Sequence, residues 1–320
     1  MFTRNYLGLL ALCHPVAHAY SVVQKYDGNN WYNSFNFETL PDPTSGFVEY
    51  ISQSEAASMD MTYTVGDQVY LGVDNKTVID PSGTGRKSIW LESKASFYHG
   101  VLIGDFAHVS GSICGLWPAF SWTIRNDPGP YGEIDITEGF SDITYAYTTL
   151  HTQDVDGTCS FTPLPGAETG TSNQDSYDCG GQIGCSVQGP EGSYGTPMND
   201  NGGGVWAMEW TSDHINIWFF ARNAIPNDVT TEAPNPSGWG TPTANFESQN
   251  GECNIDGHFP AQTIYFDTDF CGAEAGGIAW THYTTCAATT GVATCQDYVA
   301  ANPEAFSEAY WLVNSVKVYQ

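Results

Sequence analysis

Short runs of β-branched and aromatic residues, separated by clusters of Gly, Pro, Asn and Asp, recur along almost the whole 320-residue chain. Such runs are typical of strands, and the clusters between them are typical of turns. The pattern favours a single all-β domain, an antiparallel β-sandwich or jelly roll, over alternating strands and helices. The strand candidates are 76–80, 88–93, 99–109, 143–151, 205–210, 214–220 and 310–319.

Three local features add detail to this expectation. The strand candidates 205–210 and 214–220 are joined by Thr-Ser-Asp, which predicts a hairpin over 205–220. The only clear helix signal is Asn302 as N-cap with Pro303 at the first helical position. Residues 153–203 lack periodicity and are rich in Gly, Ser, Asp and Cys, so we interpret them as a long loop region.

The charge balance narrows the classes of partner. The chain has 9 Lys and Arg against 36 Asp and Glu, a net charge of −27. Nucleic acids and anionic membrane surfaces both require a basic protein surface, so neither is expected as a partner. The 10 Trp, 18 Tyr and 16 Phe exclude a disordered chain and favour aromatic contacts with a neutral, hydroxylated partner.

The first nineteen residues have the pattern of a secretory signal peptide. Arg4 supplies a positive start, residues 6–12 form a short apolar segment, and Ala17-His18-Ala19 is a small-x-small cleavage site. No later segment has eighteen uninterrupted apolar residues. We therefore expect a soluble, secreted, monomeric protein with one domain over 20–320.

The cysteine count agrees with secretion. Cys13 lies in the predicted signal peptide, which leaves an even number that can form four disulfides in an oxidising compartment. Sequence does not choose among their pairings, although Cys286 with Cys295 would close a local loop. No C-x-x-C spacing is present, so a zinc site is not expected. The eight cysteines are Cys114, Cys159, Cys179, Cys185, Cys253, Cys271, Cys286 and Cys295.

Three carboxylates within residues 133–138 carry the chemistry. Glu133 and Asp135 share one face of a strand, whereas Glu138 would face the other side unless a β-bulge near Ile136-Thr137 restores it. Carboxylates in close proximity repel, so at least one keeps its proton to a raised pH. One ionised nucleophile and one protonated acid are what glycoside hydrolysis requires. The alternative interpretation is a solvated acidic strand, but residues 115–120, with Trp117, offer an aromatic surface nearby on which a sugar could stack.

This stretch resembles glycoside hydrolase family 16, the laminarinase and lichenase group with its E-x-D-x-x-E motif, and in particular its fungal laminarinase-like branch. The resemblance implies a concanavalin-like jelly roll of two bent sheets with a concave glycan-binding cleft. It also implies retaining hydrolysis of internal β-linkages, with Glu133 as nucleophile, Glu138 as acid/base and Asp135 assisting Glu133. The segments that carry it are 80–86 (DPSGTGR), 115–119 (GLWPA), 150–152 (LHT), 201–204 (NGGG), 207–209 (AME), 218–223 (WFFARN), 239–242 (WGTP) and 309–311 (AYW).

The chain departs from that pattern where the family stacks sugars on indoles. Ser121 replaces a Trp, Trp122 stands one residue late, and a one-residue offset on a strand reverses the face. Residues 128–130 (PGP) and Glu274 occupy further positions where Trp is expected. A β-glucan is the expected substrate, but Glu274 could hydrogen-bond an axial hydroxyl, so an endo-β-1,3-galactanase is an alternative.

The remaining candidates are substrate contacts. We predict that Trp117, Trp122, His151, Trp206 and Glu274 bind the polysaccharide. No cofactor or metal is predicted; the acids would also allow a structural calcium ion, but no EF-hand spacing is present. The alternative class of function is a catalytically silent glycan-binding sandwich, because related folds include lectins.

Overall fold

The computed structural model describes residues 20–123, 132–153, 157–173, 177–181, 183–249 and 251–320. The predicted signal peptide and the 128–130 segment lie outside the described residues. Strands dominate the described chain. They are β1 (Val22–Tyr26), β2 (Phe35–Phe37), β3 (Val48–Tyr50), β4 (Thr62–Val65), β5 (Gln68–Gly72), β6 (Arg86–Ser88), β7 (Trp90–Phe97), β8 (Gly100–His108), β9 (Leu116–Thr123), β10 (Gly132–Glu138), β11 (Tyr147–Thr152), β12 (Thr171–Ser172), β13 (Cys185–Gln188), β14 (Gly204–Trp210), β15 (His214–Ala221), β16 (Ala244–Glu247), β17 (Gln262–Phe270) and β18 (Tyr310–Tyr319).

Two large sheets build the fold. The first, which we call the acidic sheet, has the order β12-β13-β11-β10-β9-β17-β7-β2. The second, the back sheet, has the order β16-β15-β14-β8-β18-β5-β4, with β1 paired to β18. Neighbouring strands in both are antiparallel, and among the strands of the described residues only the small β3–β6 pair is parallel. The predicted antiparallel β-sandwich is confirmed.

The main core fills the space between these two sheets. Along β14, Trp206 and Met208 point into it and are fully buried, while Val205 and Ala207 pack on the opposite, outer side of the back sheet. Ile134 of the acidic sheet lies in the same main core. The period-2 alternation of each strand therefore places the intervening side chains on the outer faces.

The first and last described strands lie side by side. β1 pairs with β18 in antiparallel register, with Val22 opposite Tyr319. Ser21 and Gln320 exchange two backbone hydrogen bonds, each 3.0 Å between nitrogen and oxygen. The N-terminal and C-terminal residues of this domain are thus held together at the edge of one ladder.

Most strand predictions are confirmed, one is wrong, and the strand predicted over 143–151 begins only at Tyr147. The hairpin forms between β14 and β15, and β18 covers the predicted residues. Residues 76–80 do not form a strand. The Asp74 carboxylate accepts hydrogen bonds from the backbone N–H groups of Lys76 and Thr77, at 2.9 and 3.1 Å, and these bonds hold the chain in a turn.

The helices are short and more numerous than predicted. The expected helix after Asn302 is only a 3-10 turn, Pro303–Phe306, and the Asn302 side chain makes no capping bond. The α-helix lies just before it, because Thr294 accepts a hydrogen bond from the Asp297 N–H and caps that helix. The α-helices are α1 (Trp31–Ser34), α2 (Gln53–Ser58), α3 (Gly195–Asp200), α4 (Asn227–Thr230), α5 (Ile255–His258), α6 (Gly272–Ala275), α7 (Cys286–Thr290) and α8 (Cys295–Ala301). None of the helices in the described ranges is both long and apolar enough to cross a membrane.

The eight cysteines form four disulfides, as their number predicts. The suggested local pair of Cys286 with Cys295 is wrong, because Cys286 is bonded to Cys114 and Cys295 is bonded to Cys271. Two of the bonds tie the 271–301 segment to itself and to the chain before β9, beside the acidic sheet. The pairs are Cys114–Cys286, Cys159–Cys253, Cys179–Cys185 and Cys271–Cys295.

Candidate active site on the acidic sheet

A β-bulge brings the three carboxylates of β10 to one face. Asp135 lies opposite Ser121 of β9 and Glu138 lies opposite Ala119, so two β10 residues face the single residue Phe120 between them. The register against β11 shifts at the same place. The extra residue returns Glu138 to the face of Asp135, as predicted for Ile136-Thr137.

Glu138 is held by an aromatic donor. The Trp117 indole N–H donates a hydrogen bond to its carboxylate, at 2.5 Å. Burial, together with the negative charges of Glu274 and Glu133, raises the pKa of Glu138 to about 8, although the Trp117 bond acts in the opposite direction. Glu138 is therefore protonated at neutral pH and can act as an acid.

Asp135 lies deeper than its neighbours. It is 5% exposed, and burial, followed by the charges of Glu133 and Glu138, raises its pKa well above the usual range. His151 of β11 lies opposite Glu133, with its Nε2 3.7 Å from an Asp135 carboxylate oxygen. Burial lowers the pKa of His151, so the ring is neutral near pH 7. His151 thus belongs to the site, on the Glu133 side and not beside Glu138.

Glu274 reaches the site from α6. That helix begins at Gly272, whose φ is +55°, and a Cβ there would lie 2.9 Å from the Trp117 ring. Because glycine allows this close approach, α6 packs directly on the indole that holds Glu138. The Glu274 side chain is open to solvent, yet partial burial raises its pKa and its charge acts on Glu138.

Two predicted substrate contacts are wrong. Trp122 and Trp206 are 0% exposed, so neither can stack on a sugar. The Trp122 indole N–H donates to the Gln262 carbonyl at 2.9 Å inside the core, and Trp206 packs on Phe219 at 5.1 Å between ring centroids. The one-residue offset of Trp122 turns it to the core face and leaves Ser121 on the acidic face.

Sequence reasoning missed two groups near Glu138. Asp267 of β17 accepts a hydrogen bond from the Ala119 N–H at 3.1 Å. Burial, and the charges of neighbouring carboxylates, raise the pKa of Asp267 well above the usual range. The sequence signal was that Asp267 and Asp269 lie two residues apart in a run of β-forming residues, which places both on one face of a strand. An aromatic group also flanks Glu138, with Phe140 and Tyr147 parallel at 6.1 Å and Tyr145 edge-on to Tyr147 at 5.5 Å.

Relatives of known family share most of this chain. An endo-1,3(4)-β-glucanase, xgeA, of Emericella nidulans is 40% identical over 323 residues, which cover 98% of this chain and 50% of the relative. An endo-1,3(4)-β-glucanase of Arthroderma benhamiae is 41% identical over 327 residues, covering 100% of this chain and 69% of the relative. The chain spans about half the length of most of the curated relatives it matches.

Solved structures agree on the fold. Laminarinase 16A from Phanerochaete chrysosporium, with β-glucans in its donor and acceptor sites, is 37% identical with a TM-score of 0.85, over 94% of this chain and 100% of that one. An elongating family 16 β-1,3-glucosyltransferase is 39% identical with a TM-score of 0.84, over the same shares. The family model for the XgeA-like catalytic GH16 domain matches residues 35–319. With its three carboxylates on one bulged strand, the chain therefore belongs to glycoside hydrolase family 16.

Proposed function

We propose that the protein is a secreted, retaining endo-β-glucanase that hydrolyses internal β-1,3 linkages, or mixed β-1,3/1,4 linkages, of a polysaccharide. The observation that carries the proposal is the bulged strand β10, which presents Glu133, Asp135 and the protonated Glu138 on one face. A glycan-binding protein without activity needs no such separation of an acid from a nucleophile. The reaction uses these side chains and calls for no cofactor.

The first step breaks the glycosidic bond. Glu138 donates its proton to the oxygen of the leaving sugar, while the Glu133 carboxylate attacks the anomeric carbon and forms a glycosyl-enzyme. Trp117 holds the Glu138 carboxylate through its N–H, which fixes the direction of proton transfer. Asp135 is protonated when this step begins, because its pKa is raised. It therefore adds no second negative charge beside the nucleophile.

The second step releases the sugar from Glu133. Glu138, now ionised, takes a proton from a water molecule that attacks the anomeric carbon, and the configuration is retained overall. The neutral ring of His151, opposite Glu133 and near Asp135, offers a nitrogen to a sugar hydroxyl without adding a competing charge.

The relatives favour β-glucan over β-galactan. The curated relatives are named as endo-1,3(4)-β-glucanases, and the structure from Phanerochaete chrysosporium contains β-glucans. The departure from the family at Glu274 is explained without a galactose hydroxyl, because this side chain raises the pKa of the acid. We therefore assign β-glucan as the substrate. The monomeric state stays a prediction.

A panel of polysaccharides tests the proposal. Wild-type protein should release reducing ends from laminarin and mixed-linkage glucan but not from linear β-1,3-galactan, and proton NMR should show the β-anomer first. Glu133→Gln should lower turnover by at least about 10³-fold with unchanged circular dichroism, because the nucleophile is lost while the shape is kept. An α-anomer as first product, or a Glu133→Gln variant with a tenth of wild-type turnover, contradicts the mechanism.

A second candidate outcome concerns the acceptor. The aromatic group of Phe140, Tyr145 and Tyr147 beside Glu138 could hold a sugar in place of the attacking water. A relative at 39% identity is described as an elongating β-1,3-glucosyltransferase. Mass spectrometry of products from laminarihexaose separates the two outcomes, since transfer yields oligosaccharides longer than the substrate and hydrolysis yields only shorter ones.

A further inference from the structure

A cavity lies on the outer face of the back sheet, on the side of the sandwich away from Glu133. It has a volume of about 630 Å³, within the range of about 300–1,000 Å³ that is typical of ligand pockets. Its floor is formed by outward-facing residues of β14 and β15, and its sides by Tyr20 and the 235–242 loop. Since the core lies between the two sheets, the whole sandwich separates this cavity, the back pocket, from the catalytic carboxylates.

Aromatic residues hold the walls of the back pocket in place. The Trp218 indole N–H donates to the Gly240 carbonyl at 3.1 Å, and Trp239 packs edge-on to Trp218 at 5.1 Å. The Trp239 N–H in turn donates to Asp228 at 2.8 Å. The loop is therefore fixed on the strand, and the cavity exists before any ligand arrives.

The back pocket presents amide groups to its interior. Asn216 accepts a hydrogen bond from Asn245 at 2.6 Å, and Asn235 accepts one from Ser237 at 2.8 Å. Gln320 uses its N–H groups on two backbone carbonyls. Among the described residues, the side-chain N–H groups of Asn216 and Asn235 and the side-chain oxygen of Gln320 make no hydrogen bond, so the pocket offers both donors and an acceptor.

The charge of the back pocket excludes ionic ligands. Glu209 is the one carboxylate among the described lining residues, and it accepts hydrogen bonds from Tyr20 at 2.9 Å and pairs with His214 at 3.0 Å. None of those lining residues is Lys or Arg, which a phosphate or sulfate would need. A single, already partnered carboxylate does not make a metal site. Amides beside aromatic rings suit a neutral ligand with many hydroxyls.

The back pocket continues along the sheet. A second cavity of about 520 Å³, lined by Ser212, Asp213, Glu247 and Asn254, shares His214 with the first. From Trp218 to His214 the strand covers about 13 Å at 3.3 Å per residue. The two cavities together form an elongated polar groove. The second cavity adds the carboxylates of Asp213 and Glu247, but among the described residues these do not gather with Glu209 or His214 into a group of three metal ligands, and no Lys or Arg lines it. An elongated groove of this kind fits a chain of sugars better than a single small molecule.

We propose that the back pocket is a second glycan-binding site, which holds a neutral polysaccharide chain at a distance from the site of cleavage. The inference rests on the proposed function, because a protein that cleaves a polysaccharide gains from staying attached to it. A second contact raises the effective concentration of the catalytic face at an insoluble substrate, whereas a short soluble substrate cannot bridge both faces.

A pocket-filling variant tests the proposal. Ser237→Trp should occupy the back pocket, and we expect it to weaken binding to insoluble linear β-1,3-glucan at least about fivefold in a pull-down assay. Binding is compared in the Glu133→Gln background, so that no substrate is consumed. Thr64→Trp is the matched control, since Thr64 is exposed on β4 at the other end of the back sheet. In the otherwise wild-type protein, Ser237→Trp should leave kcat/KM on laminarihexaose within about twofold.

Two results overturn the proposal: unchanged binding by a folded Ser237→Trp protein, or an equal loss in Thr64→Trp. If Ser237→Trp does not fold, the Asn216→Ala and Asn235→Ala double variant decides, because it removes the amide donors without adding bulk. Failure of the proposed function is seen separately, as absence of hydrolysis by the wild type. In that case pull-down on insoluble β-1,4-glucan and β-1,3-galactan still shows whether the pocket binds a glycan.

Discussion

At the scale of single residues, the proposed role of Glu138 as the acid predicts an upper pH limit of activity. Its pKa is raised to about 8, mainly by burial, so the group keeps the proton it must donate until the solution reaches that pH. We expect kcat/KM to stay level through neutral pH and to fall tenfold per unit well above pH 8. A pH–rate profile measures this directly, and a decline centred near pH 5 contradicts the assignment.

Glu274 and Trp117 act on this pKa in opposite directions. Glu274→Gln removes a negative charge near Glu138, so the pKa should fall and the alkaline limb should move to lower pH. Trp117→Phe removes the N–H that stabilises the ionised carboxylate, so the limb should move to higher pH, with lower turnover.

Glu191→Gln, a change at an exposed residue of the 189–193 turn, serves as the control for Glu274→Gln. The assignment fails if the two glutamine variants give the same profile, or if the Glu274 and Trp117 variants move the limb in the same direction.

At the scale of elements, the bulge in β10 makes a specific prediction. Deleting Thr137 restores a regular strand, and period-2 alternation then still places Glu138 on the face of Glu133 and Asp135. We expect the deletion variant to keep at least about ten times the turnover of Glu138→Gln, because the acid stays on the correct face. Both variants should be compared on laminarin after circular dichroism and thermal melting. A folded deletion variant as inactive as Glu138→Gln shows that the bulge itself is required.

The bulge and the carboxylates could be predicted because strand periodicity is local. Three acids at fixed spacing with buried isoleucines between them allow only one arrangement that keeps all three on a polar face. The same periodicity indicates that Trp122 faces the core, so the prediction that Trp122 binds sugar was inconsistent with the strand pattern. Asp267 could not be placed, because it lies on β17, which pairs with β9, and 148 residues of sequence separate it from its partner Ala119. The Cys114–Cys286 disulfide is equally non-local, with a sequence separation of 172, so the short spacing between Cys286 and Cys295 was misleading.

At the scale of the whole molecule, buried carboxyl groups link stability to pH. Burial raises their pKa values in the folded state, whereas in the unfolded chain they ionise near pH 4. The folded protein thus binds more protons between these values, and its free energy of unfolding falls as pH rises through that window. A net charge of −27 adds repulsion in the same direction. The groups concerned are those of Asp135, Glu138, Asp267 and Asp269.

Calorimetry between pH 6.5 and 8.5 tests this linkage. Burial lowers the pKa values of His108 and His151, and these two residues oppose the trend only below about pH 6.5, where an unfolded histidine gains a proton. We expect Tm to be higher at pH 6.5, by roughly 2–4 °C for each kcal/mol. Asp267→Asn keeps an oxygen for the Ala119 N–H and should flatten the dependence. A Tm that is equal or higher at pH 8.5 contradicts the linkage.

The pairing of β1 with β18 brings residues 21 and 320 side by side, so the strands of the described domain nearly close into a ring. Ser21 and Gln320 are already hydrogen-bonded, so a linker of a few residues could join them at little cost in loop-closure entropy. The ring could then be opened at the exposed Gly66-Asp67 turn, which lies between β4 and β5. A circularly permuted protein of this kind should fold to the same sandwich, because permutation alters connectivity while every ladder keeps its partners. Its new ends would leave beside Gly28, whose N–H donates to the Asp67 carbonyl at 2.8 Å. They would therefore lie at the other end of β1 from Ser21, a different point of attachment for a fused domain.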